Sequence, residues 1–338
     1  MWNDTDIPLA VFFTFRCYGT WLHGDERGSV DQWSSRIGDS DGMTDLAAQR
    51  RFFAEEIQMV ANLKTPSLVE ALATVPRERF LPRGPWVVRG DADVNAPLRR
   101  SIDADPRHVY HNVAIGIDPE RMLFNGAPAT LCSAIDALGL APGKRVLHIG
   151  TGAGYYTAVM AQAVGPTGRV VGIEVDAPLA AAATTNLADM PWVTVRHDDA
   201  RAPLEGAFDA ILVNAGITHP EPQWLRALAP GGRMNVSITV SLDLPGIVHA
   251  AGPGMANIGK GFMILLERGD ASDQLGARLV NMVAIYSAIG LRDPAINTML
   301  GAAMSKAPFP ALKRLRLDAH DPDAMCWCHT PHGCWSLG

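Results

Sequence analysis

The chain has 338 residues, 48% of them hydrophobic and 19% charged, which is enough apolar material for a large core and excludes a disordered chain. Its 29 Lys and Arg against 35 Asp and Glu give a formal charge of −6, which argues against non-specific nucleic-acid binding. No run reaches the roughly 18 apolar residues of a membrane span. Five cysteines, an odd count, favour a reducing cytoplasm over a disulfide framework.

Residues 1–42 are predicted to form a leader extension, because the polar stretch Gly38–Gly42 has the composition of a linker. Within them, Pro8–Asp31 resembles the first strand and loop of single-tyrosine transposases related to repeat-element mobilisation. That family needs a His-hydrophobe-His metal pair, and no His-x-His occurs in the chain. We therefore expect a fused or mis-started leader, with Met43 as the functional start.

Residues 43–127 are predicted to form an N-terminal region that contains helices and the substrate loop. Thr44 is a suitable N-cap for an amphipathic helix. Its apolar residues recur at roughly helical spacing: Leu46, Phe53, Ile57 and Val60. A second helix is expected from Pro66 to just before Pro76. Residues 82–112 show little periodicity and are expected to be an ordered but irregular crossing segment.

Residues 128–290 alternate between short apolar strands and helices. The predicted strands are Arg145–Ile149, Val170–Val175, Val193–Arg196, Phe208–Asn214 and Arg233–Val240. The predicted helices are Pro128–Leu140, Gly154–Val164, Pro178–Leu187 and Pro222–Leu228. This alternation predicts an α/β fold with a Rossmann-like, doubly wound and mostly parallel sheet. Two further runs, Phe262–Glu267 and Leu279–Tyr286, predict an antiparallel hairpin at the sheet edge.

Residues 291–338 are predicted to hold one helix, Pro294–Met304, and an irregular tail. The tail is rich in residue types that bind zinc: Cys326, Cys328, His329, His332 and Cys334. The Cys-x-Cys-His spacing is tighter than the usual paired C-x₂-C knuckle. We therefore expect no metal, and a packed tail whose Cys and Trp side chains are buried against the sheet.

A glycine-rich turn follows the first strand of the alternating region. Gly150, Gly152 and Gly154 let the chain turn sharply, let a ligand approach the backbone, and lead into a helix start with unpaired N–H groups. Glu174, at the tip of the second strand, is placed to accept the ribose hydroxyls of an adenosine cofactor. Asp199 follows the third strand and can meet the adenine edge. Because the third glycine comes one position early for a dinucleotide fingerprint, the spacing fits S-adenosylmethionine better.

These segments together resemble the protein-L-isoaspartate O-methyltransferase family from about Met43 to Tyr286. The matching motifs are Val75–Pro82, Arg145–Thr157, Val170–Asp176, Asp198–Arg201, Ala207–Val213 and Leu228–Arg233. The resemblance implies a class I methyltransferase fold and S-adenosyl-L-methionine as cofactor. The expected cofactor contacts are His148, Gly150, Thr151, Gly152, Ala153, Gly154, Glu174, Asp199, Ala200 and Asn214.

The sequence departs from the family at two places. His148 stands where the first motif usually has an acid. Phe124, Asn125 and Gly126 stand where the family's substrate loop carries Thr-Ile-Ser, so the hydroxyls that would hold an isoaspartyl carboxylate are missing. Asn125 and Gly126 are therefore the substrate-loop positions, and Arg121, Asn125 or His111 are candidates to replace the lost contacts.

The resemblance implies an O-methyltransferase that acts on a carboxylate of a protein or peptide, with isoaspartyl repair as the first substrate class. One alternative is the same fold with altered specificity, such as a modified aspartate in a peptide natural product. The other is a non-catalytic module that binds S-adenosylmethionine. We expect a protein or peptide partner, and neither nucleic acid nor membrane.

Overall fold

The computed structural model describes residues 45–90, 98–241, 258–269 and 273–338; the predicted leader and Thr44 lie outside the described residues. The described α-helices are α1 (Leu46–Ala61), α2 (Pro66–Thr74), α3 (Pro128–Ala137), α4 (Tyr155–Val164), α5 (Ala177–Asn186), α6 (Pro222–Ala227) and α7 (Pro294–Lys306). The first four described strands are β1 (Val87–Arg89), β2 (Arg99–Arg100), β3 (Ala114–Asp118) and β4 (Leu123–Phe124). The later ones are β5 (Arg145–Ile149), β6 (Arg169–Glu174), β7 (Val193–His197), β8 (Phe208–Ile217), β9 (Leu228–Ser241), β10 (Ile258–Glu267), β11 (Gln274–Tyr286), β12 (Arg314–Arg316), β13 (Cys326–Thr330) and β14 (Gly333–Ser336).

One ten-stranded sheet carries most of these strands, in the order β13-β14-β12-β11-β10-β9-β8-β5-β6-β7. The pairs β5/β6, β6/β7, β5/β8 and β8/β9 are parallel, and those from β9 to β13 are antiparallel. This confirms the predicted Rossmann-like sheet. Because β6 and β8 lie on opposite sides of β5, the strand order reverses at β5, which is where open α/β sheets bind ligands.

Side chains alternate between two buried layers across the parallel strands. Val146 and Leu212 pack with α3 and α4 in one core cluster, and Leu147 and Val213 pack with Trp224 and α7 in the other. Both faces are therefore covered, which explains why the strands are continuous apolar runs. Glu174 ends one such run at the carboxyl edge.

The sheet continues beyond the predicted hairpin. Strands β10 and β11 pair antiparallel as expected, but β12, β14 and β13 follow them. The segment expected to be irregular after α7 therefore contains three strands. All three are short, with three to five residues, and β13 contains a bulge, so their sequences show no alternation that identifies a strand by itself.

The segment 82–112 is also more regular than expected. It supplies β1 and β2 to a second, four-stranded antiparallel sheet of order β2-β1-β3-β4. Strands of two or three residues are too short to show a period of two, so the sequence gives no signal for them.

The N-cap of helix α1 is Asp45, one residue after the predicted cap Thr44. Asp45 accepts hydrogen bonds from the backbone N–H groups of Ala47 and Ala48, at 3.0 and 3.1 Å. Phe53 and Ile57 are buried as expected, but Val60 is 59% exposed, because the buried stripe of the helix ends before its last turn.

Candidate active site

The glycine turn after β5 is built so that only glycine fits at its ends. Gly150 and Gly154 both have positive φ, at 81° and 101°. A Cβ on Gly150 would lie 3.0 Å from the carbonyl oxygen of Asn214, and one on Gly154 would lie 3.0 Å from Cδ1 of Leu187. The backbone of the turn is thus pressed against β8 on one side and the end of α5 on the other.

Glu174 joins the turn to the end of β6. Its carboxylate accepts a hydrogen bond of 2.7 Å from the N–H of Gly152 and one of 3.0 Å from the N–H of Asp176. The side chain is only 7% exposed. A nearly buried carboxylate at the carboxyl edge, next to a glycine turn, is the polar group that the sequence predicted there.

Asn214 lies where β8 separates from β9. The pairing shifts between Leu212 and Gly216, so the residues between them bulge away from the neighbouring strand. The amide of Asn214 donates to the carbonyl of Gly150 over 3.3 Å. This contact brings a predicted site residue of β8 against the glycine turn.

Thr151 and Ala153 contribute backbone to the turn. The Thr151 hydroxyl lies 3.3 Å from the carbonyl oxygens of both His148 and Ile173, so it points into the protein. The carbonyl of Ala153 accepts from the side chain of Asn186 over 2.9 Å. The structure thus gives both residues a role in fixing the turn.

Asp199 follows β7 and forms an ion pair with Arg201. The guanidinium donates to its carboxylate at 2.6 and 3.0 Å, and this hydrogen bonding holds the pKa of Asp199 below its usual range. The carbonyl of Ala200 accepts from the indole N–H of Trp224 over 2.7 Å. Glu174 and Asp199 therefore lie at the ends of adjacent strands, as the sequence predicted.

His148 is fully buried beneath α4. Its Nδ1 lies 2.8 Å from the hydroxyl of Thr157, and burial lowers the pKa of the imidazole to about 3. The ring is therefore neutral, and its Nε2 has no hydrogen-bond partner among the described residues. Thr157 was not predicted, although it lies at the end of the first cofactor motif.

The substrate-loop positions are tightly held. The Asn125 carbonyl oxygen Oδ1 accepts from the N–H of Ile115 at 2.9 Å and from Arg77 at 3.4 Å. Because both partners are donors, the amide orientation is fixed, and Nδ2 is left buried without a partner in the described chain. Gly126 has φ of 78°, and its carbonyl accepts from the hydroxyl of Tyr156, at the start of α4. The loop therefore lies against the helix that follows the glycine turn.

Arg121 and His111, the other candidates for carboxylate binding, are differently placed. Arg121 forms ion pairs with Asp118 and Asp176, and these two carboxylates raise its pKa above its usual value. The side chain of His111 is exposed, and its backbone carbonyl accepts from Arg77 over 2.9 Å. Asn125 is thus the candidate among the three whose side-chain donor is buried and unpartnered.

Arg77 is a positioning residue that sequence reasoning missed, although it lies within the quoted motif Val75–Pro82. It is fully buried and donates to the carbonyls of Val109, His111 and Val113, at 2.6, 2.9 and 2.8 Å. Its guanidinium also lies 5.7 Å from the ring centre of Tyr155. An arginine in a run of charged residues suggests a solvated surface, so only the structure shows this role.

Comparison with known proteins agrees with this geometry. The family model for protein-L-isoaspartate(D-aspartate) O-methyltransferase matches residues 49–244. A protein-L-isoaspartate O-methyltransferase of Rhodopseudomonas palustris is 34% identical over 58% of this chain and 71% of its own length. One of Methylorubrum extorquens is 30% identical over 75% of this chain and 96% of its own length.

Solved structures give the same fold. A protein-L-isoaspartate O-methyltransferase aligns with a TM-score of 0.54 at 21% identity, over 76% of this chain and 69% of the other. A structure from Plasmodium falciparum assigned to the same activity, in complex with S-adenosyl-L-homocysteine, aligns with a TM-score of 0.50 at 16% identity, over 71% and 97% of the two chains. Among the described residues, no helix has the length and apolar character needed to cross a membrane.

Proposed function

The chain belongs to the protein-L-isoaspartate(D-aspartate) O-methyltransferase family, and we propose that it methylates an isoaspartyl carboxylate in a protein or peptide. It is an S-adenosylmethionine-dependent methyltransferase. The observation that carries the substrate proposal is Asn125 Nδ2 at the substrate-loop position, a buried donor without a partner in the part of the chain that the structure describes.

The residues around the glycine turn fit S-adenosyl-L-methionine, which supplies the methyl group. A Cβ on Gly152 would only touch Cδ1 of Ile117, at 3.6 Å, but the positive φ of 57° favours glycine there. The carboxylate of Glu174 would hold the ribose hydroxyls, and Asp199 with Ala200 would meet the adenine. With Nδ1 of the neutral His148 protonated and donating to Thr157, its Nε2, which has no partner among the described residues, would accept a hydrogen bond from the methionine ammonium in place of the usual acid.

Methyl transfer to a carboxylate needs orientation rather than a general base. A carboxylate is ionised at pH 7 and is already a nucleophile, so positioning it is the main task of the protein. We propose that Asn125 Nδ2 donates a hydrogen bond to one carboxylate oxygen and leaves the other free to attack the methyl group. Arg77 and Ile115 would act as positioning residues, because they hold the other end of the same amide.

Altered specificity is the second candidate, and the loop itself favours it. Phe124 is 8% exposed and packs in a cluster with Val87 and Ala114, so a buried apolar side chain stands where the family has a hydroxyl. A loop without that hydroxyl would suit a modified aspartate better than a standard isoaspartyl group. The other alternative from the sequence, a non-catalytic module, does not agree with the family match, which is to methyltransferases.

The test is transfer of a labelled methyl group from S-adenosylmethionine to an isoaspartyl peptide and to its aspartyl counterpart. The proposal predicts labelling of the isoaspartyl peptide alone, in a base-labile ester. Equal labelling of both peptides would contradict the specificity. Absence of transfer to either peptide together with tight cofactor binding would contradict the isoaspartyl proposal and favour the altered specificity.

The role of Asn125 is tested by Asn125→Asp, which keeps the acceptor for Ile115 and Arg77 but replaces the free donor by a carboxylate oxygen. We expect kcat/KM for the isoaspartyl peptide to fall by about ten- to a hundredfold, because a charged hydrogen bond contributes about 1.5–3 kcal/mol. The dissociation constant for S-adenosylmethionine should not change. The matched control is Asn112→Asp, whose Oδ1 accepts from Ala129 and takes no part in the loop. A wild-type rate in Asn125→Asp would refute the assignment.

A further inference from the structure

The C-terminal tail brings four zinc-binding side chains together. The ligand atoms of His320, Cys326, His329 and Cys334 all lie within 4.8 Å of one another. All four residues lie outside the residues that the family model matches, 49–244. We propose that they form a structural zinc site, in contrast to the expectation from the sequence of a tail without metal.

Strand pairing explains why these residues meet. His329 of β13 lies directly opposite Cys334 of β14. Cys326 lies three residues before His329, so in a regular strand the two side chains would point to opposite faces. The pairing shifts between Cys326 and Cys328, which makes Trp327 an extra residue and turns Cys326 to the face of His329 and Cys334.

The distances suit a tetrahedral ion. With Zn–S of about 2.3 Å and Zn–N of about 2.0–2.1 Å, a tetrahedral zinc ion holds its ligand atoms about 3.3–3.8 Å apart. The sulfur of Cys326 and Nε2 of His320 are 3.6 Å apart. The widest separation, 4.8 Å, exceeds the tetrahedral value by about 1 Å, a gap that side-chain rotation closes.

Neighbouring backbone groups orient two of the proposed ligands, His320 and Cys326. Nδ1 of His320 lies 2.9 Å from the carbonyl oxygen of Asp318, which leaves Nε2 as the unprotonated nitrogen that faces Cys326. The N–H of Asp323 donates to the Cys326 sulfur over 3.4 Å. Histidines that bind metals are typically oriented by an outer contact such as that of His320 with the carbonyl of Asp318. Nδ1 of His329, by contrast, is buried and has no partner within the described ranges.

The remaining two candidates from the sequence are engaged elsewhere. Cys328 is 4% exposed and packs in the hydrophobic core on the opposite face of β13. The ring of His332 stacks on that of His219, with ring centres 3.9 Å apart. The structure thus selects Cys326, His329 and Cys334 from the tail cluster and adds His320.

The chemistry of the set favours zinc. Two thiolates and two neutral imidazoles give a site of zero net charge with Zn²⁺, which suits a half-buried position, and S₂N₂ is a tetrahedral zinc set. Binding would release the two thiol protons to solvent. A cavity of about 620 Å³, lined in part by His320, His329 and Cys334, gives the ion a path from solvent.

The zinc content of the full-length protein tests the proposal, after purification in reducing buffer without chelator. We expect about one zinc ion per chain in the wild type, and less than about a fifth of that in Cys326→Ser and Cys334→Ser. The matched controls are Cys328→Ala and His332→Gln, which should retain the wild-type content. If the ligand variants fail to fold, cobalt loading of the wild type is the second measurement, and it should give the intense visible absorption of a tetrahedral thiolate site.

Two results would overturn the proposal. One is a wild-type protein that stays free of zinc after dialysis against zinc and a thiol reductant, including the case in which Cys326 and Cys334 have formed a disulfide. The other is a zinc content that survives in both cysteine variants. Methyl transfer is not part of the readout, so the outcome does not depend on the proposed function.

Discussion

Glu174 is held before any ligand arrives. The N–H groups of Gly152 and Asp176 donate to its two carboxylate oxygens, so the side chain is fixed at the end of β6. A fixed and nearly buried carboxylate loses little conformational entropy when it binds two hydroxyls. Preorganisation of this kind makes Glu174 the residue on which cofactor affinity should depend most.

Glu174→Ala should therefore weaken binding of S-adenosylmethionine by about ten- to a hundredfold or slightly more, equivalent to about 1.5–3 kcal/mol for the charged hydrogen bonds to the ribose. Titration calorimetry measures the change. Glu205→Ala is the control, since Glu205 is exposed in a loop outside the site. Equal affinities in wild type and Glu174→Ala would remove this acid from the site.

His148 should make stability depend on pH. The folded-state pKa is lowered to about 3 by burial, against about 6.5 in the unfolded chain, so the unfolded state binds a proton that the folded state does not. The contribution of the neutral imidazole to the free energy of unfolding is fully present above about pH 6.5. It falls by up to about 1.4 kcal/mol per pH unit as the pH is lowered to about 3. Urea unfolding between pH 7 and pH 4 should show a smaller slope for His148→Gln than for wild type. The exposed-site variant His111→Gln should keep the wild-type slope, and an unchanged slope in His148→Gln would contradict the assignment.

The substrate loop resists conversion to the family pattern. A Cβ on Gly126 would lie 2.9 Å from Cδ2 of Leu131, at a positive φ that side chains rarely adopt. Replacing the buried Phe124 by a smaller polar residue would leave a cavity. Simple restoration of the hydroxyls would therefore strain the loop, which is why Asn125→Asp is the sharper experiment.

At the scale of elements, the small antiparallel sheet and the loops around it depend on Arg77. Its guanidinium satisfies the carbonyls of residues 109, 111 and 113 and reaches Asn125. A buried charge with several acceptors is costly to remove, because each acceptor then stays buried without a donor. The position of the substrate loop thus depends on a residue in the short 3₁₀ helix Arg77–Phe80, which follows α2.

Arg77→Met should lower the free energy of unfolding by roughly 3–5 kcal/mol, through the unpartnered carbonyls. Urea denaturation measures the loss. Arg79→Met is the matched control from the same 3₁₀ turn, because its ion pair with Asp189 lies at the surface and contributes about 1 kcal/mol or less. Comparable losses in both variants would contradict the central role of Arg77.

At the scale of the whole molecule, the methyltransferase sheet carries an extension. The predicted hairpin β10/β11 continues the parallel part of the sheet, and β12, β14 and β13 extend the same sheet beyond it, outside residues 49–244 that the family model matches. The extension covers an edge that would otherwise expose unpaired backbone groups. Its last strands, β13 and β14, carry three of the four proposed zinc ligands, and His320 lies in the loop before β13.

Deleting residues 1–42 should leave folding and cofactor binding intact, because the cap of α1 is Asp45 and the family model begins at residue 49. Circular dichroism and calorimetry check this. A deletion of residues 1–48 removes the cap and should cost about 1 kcal/mol more in stability. Loss of cofactor binding in the shorter deletion would show that the leader belongs to the methyltransferase core.

The sequence by itself determined the parallel sheet and the glycine turn. A strand buried on both faces needs a continuous apolar run, and a positive φ at Gly150 and Gly154 needs glycine, so both features depend only on residues that are close in the sequence. The alternation of strands and helices also places the acids at the ends of the strands. These signals predicted the fold class and where Glu174 and Asp199 lie.

Only the tertiary structure decided which side chains meet from distant or irregular segments. The free donor of Asn125 depends on Ile115 and Arg77, which come from other elements. The proposed zinc site depends on a bulge at Trp327, which no sequence pattern predicts, and on His320 from a loop. Such contacts arise from pairing register and long-range packing, whose energies are spread over the whole molecule and leave no periodic trace in the chain.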